Sequence, residues 1–317
     1  MIEKTAQESL SQWSISPKAV RLAAQRENIV FRVETHKAGP YALRLHRPGY
    51  QSAQMVRSEL AWMAHLQARD FHVPRPLPSA SGDMLVQIVP YHADLLTWLE
   101  GAPMGATAAP LVSADRGGLF MRLGALMAKL HDVSDAWDPP PDFERRRWDI
   151  DGLLGDDPHW GPFWQNPGLT ADGRDIVLRA RAGLKQDLTT HAGDFGLIHA
   201  DMVRENVIVR GDRIGLIDFD DSGFGFRLFD VATTLLKNQG EPDYPELEAA
   251  FLRGYRAVRP LDTQLLPQFL LTRALSYLGW IIPRLGEPGA ETRQKRFLAT
   301  TLPMVEAYLQ NAPRRRA

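Results

Sequence analysis

Two short runs of β-forming residues, Val207-Ile208-Val209 and Arg213-Ile214-Gly215-Leu216-Ile217, flank Gly211-Asp212, a dipeptide suited to a two-residue hairpin turn. Residues paired across such a turn have numbers that sum to a constant, so position 206 is expected opposite about position 217. Asn206 and Asp218 then share the open end of the hairpin, and Asp201 lies just upstream in the loop that feeds this end. Any fold this chain adopts has to bring one carboxamide and two carboxylates together there.

Oxygen donors of this kind suit Mg²⁺, which keeps several waters and takes one or two carboxylates plus substrate phosphates. A spare carboxylate beside them can accept a hydroxyl proton, so the cluster reads as a phosphoryl-transfer site. Taken singly, Asp220 or Asp221 reads equally well as a solvated loop residue.

His199-Ala-Asp-Met-Val-Arg-Glu-Asn206 followed by Ile217-Asp218-Phe219 resembles the catalytic and metal-binding segments of the aminoglycoside phosphotransferase and choline kinase superfamily, relatives of the protein kinases. The likeness is nearest to the bacterial branch that contains homoserine kinase type II and stress-response kinase A. It implies that Asp201 is the catalytic base, that His199 braces its loop, and that Asn206 and Asp218 are magnesium ligands. Asp230, in Phe229-Asp230-Val231-Ala232, matches the family's buried aspartate, which holds the catalytic loop by backbone hydrogen bonds. The implied fold is α+β, a bilobal protein-kinase-like fold with a small N-terminal lobe of antiparallel sheet plus one helix and a larger, mostly helical C-terminal lobe. ATP and Mg²⁺ are the implied cofactors.

The first hundred residues fit such a small lobe. Asn28–Thr35 and Tyr41–His46 alternate as strands, and a helix from about Ser52 to Gln67 carries Ala53, Val56, Leu60 and Met63 at helical spacing. Glu59 lies among apolar neighbours on that helix and calls for a cationic partner. Arg44 is the candidate, standing where the kinase pattern has a phosphate-contacting lysine paired with a helix glutamate. The alternative for Arg44 and Glu59 is an ordinary surface ion pair. No Gly-x-Gly-x-x-Gly loop precedes this strand, which places the phosphate-facing turn at Gln25-Arg26-Glu27-Asn28. Strands near Asp83–Val89 and Ala93–Thr97 complete the lobe, and Thr97-Trp98-Leu99-Glu100-Gly101 resembles the interlobe hinge. There, backbone groups of Thr97 and Leu99 would meet the adenine edge. The division is thus residues 1–100 for nucleotide binding and 101–317 for catalysis and acceptor binding, with the hinge at 97–101.

Beyond the hinge, Leu119, Leu123, Leu126 and Leu130 mark an amphipathic helix ending near His131, which reads as a helix-end or core histidine. Residues 137–169 are rich in proline, glycine, tryptophan and acid, as in a cap or functional loop. Their aromatic faces and carboxylates would suit an amine-bearing acceptor, and simple packing of a tryptophan-rich insert is an equal alternative. A helix over Thr272–Ile282 supplies an opposite wall.

A length of 317 residues with 44% hydrophobic and 24% charged residues allows two lobes and a sizeable core. The net charge of −1 disfavours nucleic acid and anionic membrane as partners, and Arg314-Arg315-Arg316 reads as a solvated tail. Without cysteine there is no disulfide, zinc thiolate or thiol nucleophile. The N-terminus lacks an apolar signal region and no apolar run approaches the roughly 18 residues of a membrane span, so a cytoplasmic location is expected. The expected activity is ATP- and Mg²⁺-dependent phosphorylation of a hydroxyl on a small molecule: an amino alcohol, or a homoserine-like or aminoglycoside-like acceptor. A Ser/Thr protein acceptor is the first alternative, and a non-catalytic nucleotide-binding module the second. The sequence leaves the oligomeric state open.

Overall fold

In the computed structural model, residues 2–25, 28–106, 109–190 and 193–315 are described. In chain order, helix α1 (Ile2–Ser9) is followed by strands β1 (Pro17–Gln25), β2 (Asn28–Thr35) and β3 (Tyr41–His46) and helix α2 (Ala53–Gln67). Strands β4 (Pro76–Leu77), β5 (Val86–Ile88), β6 (Tyr91–Thr97) and β7 (Ala102–Pro103) lead to helix α3 (Arg116–Asp135). Next come β8 (Arg146–Trp148), α4 (Ile150–Leu154), α5 (Ala171–Thr189) and β9 (Phe195–Ile198), then β10 (Val207–Arg210), β11 (Arg213–Leu216) and β12 (Gly223–Phe226). Helices α6 (Arg227–Leu236), α7 (Tyr244–Arg256), α8 (Leu266–Trp280) and α9 (Ala290–Arg315) end the chain.

These elements form two units, each discontinuous in sequence. The first comprises Met1–Val112, Asp132–Arg145 and Arg204–Asp221; the second comprises Ser113–His131, Arg146–Val203 and Ser222–Ala317. The partition differs from a single cut near residue 101, and hydrogen bonding explains why. β10 pairs with β7, and the Leu216 N–H at the end of β11 donates to His72 O at 3.0 Å, so the hairpin is tied to N-terminal segments. Gly101 makes the approach possible. Its φ is +141°, and a Cβ there would stand 2.7 Å from Ile208 Cγ2 and 2.8 Å from Val209 O.

In the first unit a six-stranded antiparallel sheet runs β1-β2-β3-β6-β4, with β5 also paired to β6. Side chains alternate between its faces. Phe31, Val33, Leu43, Leu45, Ala93 and Leu95 pack with Ala6, Leu10 and Trp13 from α1 and the turn after it, a helix additional to the expected α2. The intervening positions of β3 and β6 include Arg44, His46 and Asp94, all buried. Helix α2 starts where expected because Ser52 caps it, its side chain accepting from the Met55 N–H at 3.0 Å. It buries Val56, Glu59, Leu60, Trp62, Met63 and Leu66.

In the second unit β12 lies between β8, parallel to it, and β9, antiparallel to it. The rest is helical, and all ten residues of α6 are buried. The 137–169 segment is largely irregular, with only β8, α4 and a short 3₁₀ turn. No described helix is long and apolar enough to cross a membrane. The fold is α+β. Arg316 of the C-terminal basic cluster lies outside the described residues.

Candidate active site

The hairpin has the expected register. Val207 pairs with Leu216 and Arg210 with Arg213, and the Ile217 N–H donates to Asn206 O at 3.0 Å, so Asn206 and Asp218 sit at one end of it. Asp218 has a φ of +64°, which for a residue with a Cβ is a strained conformation of the kind that collects at functional sites. Its side chain borders a cleft of about 160 Å³ within the first unit. Val30, Ala42, Leu96, Leu99 and Ile217 give that cleft apolar walls, while Asn28, Arg44, Asp218 and Asp220 make its polar end. Its apolar walls and few convergent polar groups are those of a small-ligand site. Thr97 lines it as well, but its N–H donates to Arg75 O at 2.9 Å. Of the expected phosphate-facing turn, Arg26 and Glu27 lie outside the described residues, and Ala24 and Asn28 on either side line the cleft.

Arg44 and Glu59 form a buried pair, which removes the surface alternative. Nη1 of Arg44 meets Glu59 Oε1 at 2.7 Å, with residue exposures of 5% and 0%. A second partner was not expected. Asp94 lies directly across from Arg44 in the β3–β6 register and takes its Nε and Nη2 at 3.0 and 2.9 Å, a bidentate fork. His46 meets the same carboxylate, and Asp220 Oδ1 lies 3.5 Å from Arg44 Nη1. Burial disfavours the charged guanidinium, but the Asp94, Glu59 and Asp220 carboxylates outweigh it and hold Arg44 above its ordinary range. Burial likewise works against Glu59 and Asp94 as anions, and Arg44 with Arg145 or His46 holds both below the usual carboxylate range. Asp220 goes the other way: burial first, then Glu59 and Asp218, push its carboxyl well above that range. This residue is no solvated loop aspartate. It is 6% exposed and accepts from Asn28 Nδ2. The sequence signal for Asp94 was there to be read, as an aspartate inside an apolar strand facing an arginine on its neighbour.

Arg145 was missed altogether. It is 7% exposed and donates to Phe219 O at 2.9 Å, Asp220 O at 2.6 Å and Met55 O at 2.9 Å, clamping the backbone just after Asp218 onto α2. Placed within Arg145-Arg146-Arg147, it looks like one more surface arginine.

His199 and Asp201 belong to the second unit. There Asp230 on α6, fully buried, accepts from the His199 N–H at 3.0 Å and the Ala200 N–H at 2.9 Å. These two bonds hold Ala200 at a φ of +63° and so set the turn that presents Asp201. The Asp201 N–H donates to His199 Nδ1 at 3.3 Å, so the histidine contacts the loop backbone. Behind Asp230 stands His131, fully buried, with Nε2 3.1 Å from the carboxylate and Nδ1 2.7 Å from Tyr255 Oη. Despite burial, bonds and charges from His131 and His199 hold Asp230 below the usual carboxylate range. On Asp201 itself, Oδ1 accepts from Arg273 Nη2 of α8 at 2.8 Å.

The sequence profile of the phosphotransferase enzyme family, APH, matches residues 18–261. A homoserine kinase of Rhizobium meliloti is 29% identical over 273 residues, covering 82% of this chain and 76% of the relative. An amicoumacin kinase of Bacillus subtilis is 26% identical over 294 residues, covering 87% and 84%. The solved structure of a microcompartment-associated aminopropanol kinase superposes with a TM-score of 0.85 at 28% identity, covering 98% of each chain.

Proposed function

The chain belongs to the APH phosphotransferase enzyme family and is an ATP-dependent kinase; from that premise we propose that, with Mg²⁺, it transfers the γ-phosphate of ATP to a hydroxyl of a small metabolite. The observation that carries this reading is the cleft of the first unit, apolar along its walls and ending on Asp218 and the buried Arg44–Glu59 pair. Adenine suits the apolar part and the phosphates suit the polar end. Leu99 would meet the adenine edge. Arg44, its fork taken up by Asp94 and Glu59, acts on the phosphates by its charge and by the place it gives Asp220.

Among the described residues no group of three or more His, Cys, Asp or Glu is arranged to hold a metal ion alone. Asn206 and Asp218 offer one carboxamide and one carboxylate, which fits Mg²⁺ held together with nucleotide phosphates and water. Bound there, the ion would neutralise phosphate charge. The chain's own contribution is positioning: Arg145 fixes the loop after Asp218, and Asp230 fixes the turn that carries Asp201. Asp201 is the general base that takes the acceptor's hydroxyl proton, and His199 steadies its backbone. The named relatives, kinases of homoserine, amicoumacin and aminopropanol, favour a small molecule over a protein as acceptor.

A screen of hydroxyl-bearing metabolites for ADP release, with and without Mg²⁺, tests the proposal. Metal-dependent release with at least one acceptor is expected. Metal-independent release, or phosphorylation of protein alone, would contradict it.

A further inference from the structure

Arg273 on α8 is 1% exposed, and the one hydrogen bond of its side chain among the described residues goes from Nη2 to Asp201 Oδ1. A guanidinium has five N–H donors. Here Nε and Nη1 are buried without a partner, and so are Trp160 Nε1 and Tyr277 Oη. These groups belong together, since the guanidinium carbon lies 3.9 Å from the Trp160 ring centroid and 4.5 Å from that of Tyr277. Lys237 Nζ is a further 3.9 Å contact on the Tyr277 ring. Arg273, beside the Asp201 carboxylate, thus shares a buried cluster with the Trp160 and Tyr277 rings in which four polar atoms have no hydrogen-bond partner among the described residues.

Buried donors without acceptors are costly, and folded proteins keep few of them. A cluster of them on three neighbouring side chains calls for a hydrogen-bond acceptor that arrives with the substrate. The Trp160 and Tyr277 rings could cradle a cation, but Arg273 and Lys237 already stand over them. The amine expected from the aromatic residues of the 137–169 segment is thus displaced, at Trp160, by the protein's own arginine. A planar carboxylate has the acceptors, the charge and the two-pronged shape that a guanidinium fork and its neighbours match.

We propose that Arg273, Trp160 Nε1 and Tyr277 Oη form a subsite for the carboxylate of a hydroxy-acid acceptor, beside the Asp201 that receives its hydroxyl. The assignment rests on the kinase reading above and narrows its substrate class.

Three matched acceptors test it with the intact enzyme and Mg-ATP: L-homoserine, 4-hydroxybutyrate, which lacks the amine, and 3-amino-1-propanol, which lacks the carboxylate. Both hydroxy acids should exceed the amino alcohol in kcat/KM by at least about a hundredfold, as expected for a site whose buried donors would otherwise stay unpaired. Arg273→Met should reduce that preference to a few-fold. Tyr277→Phe keeps the ring and removes one donor, so it decides the matter even if Arg273→Met fails to fold. It should cut kcat/KM for the hydroxy acids about tenfold, through KM, and narrow the preference. A wild-type preference for 3-amino-1-propanol, or equal loss on all three acceptors in Tyr277→Phe, would overturn the subsite and leave the kinase reading intact. Turnover of none of the three also overturns the subsite; if Mg-ATP then leaves the melting temperature unchanged, the kinase reading falls with it.

Discussion

At the scale of single residues, the buried charges carry the most consequence. Arg44 faces three carboxylates, so Arg44→Met would take the main cation from Glu59 and Asp94 and leave them to Arg145 and His46. Removing one partner of a buried ionic cluster costs about 3–5 kcal/mol, and denaturant titration of Arg44→Met should show a loss of that order; a change below about 1 kcal/mol would mean the cluster is solvated. Asp201→Asn makes a different prediction. Turnover should fall by at least about 10², the lower end for general-base assistance, while Mg-ATP affinity stays within a few-fold, because the cleft belongs to other residues. Nucleotide titration beside steady-state kinetics separates the two effects, and retained turnover would move the base elsewhere. His131 predicts a pH dependence. Burial, above all, lowers its pKa in the folded chain, against a raising contribution from Asp230 and in the company of Tyr255, Arg227 and Arg259. Folding therefore favours its neutral form, and the unfolded chain binds more of the proton. Its contribution is complete above about pH 6.5, the unfolded value, and is lost as pH falls through that value toward the lower folded one. Urea denaturation at pH 7.5 and 5.5 should show lower stability at 5.5, by up to about 1.4 kcal/mol from this group. Equal or greater stability at pH 5.5 would refute the assignment.

At the scale of elements, the β10–β11 hairpin was readable because its determinants are local. A turn dipeptide and strict alternation set the register, and the Ile217 to Asn206 bond is what that register requires. Its seat was not readable. Nothing in Ala102-Pro103 announces a strand, and Gly101 takes its meaning from Ile208 and Val209, more than a hundred residues away. Gly101→Ala should therefore destabilise the protein by about 1–3 kcal/mol through backbone strain and overlap, measured by chemical denaturation. An unchanged midpoint would show that β10 can move aside. Helix α6 makes the same point from the other direction. Asp230 stood out by its motif, while His131 behind it, from α3, looked like one of many helix histidines.

At the scale of the whole molecule, a ligand that binds only the folded chain must raise its melting temperature. Mg-ATP at millimolar concentration should do so, and Asp218→Ala should remove most of the metal-dependent part; no shift in the wild-type protein would contradict the nucleotide assignment. The sequence by itself determined the kinase-like family, the α+β fold, the hairpin register and the spacing of His199, Asp201, Asn206 and Asp218, because each is written in turn chemistry, periodicity or a motif a few residues long. Only the tertiary structure decided that Arg44 is shared with Asp94, that Asp220 is buried, that Arg145 clamps the loop after Asp218, and that Arg273 meets Asp201. Those contacts join residues 50 to 74 positions apart. Each depends on where two elements pack, and the energy that selects a partner for a buried charge does not exist until the surrounding water has been excluded.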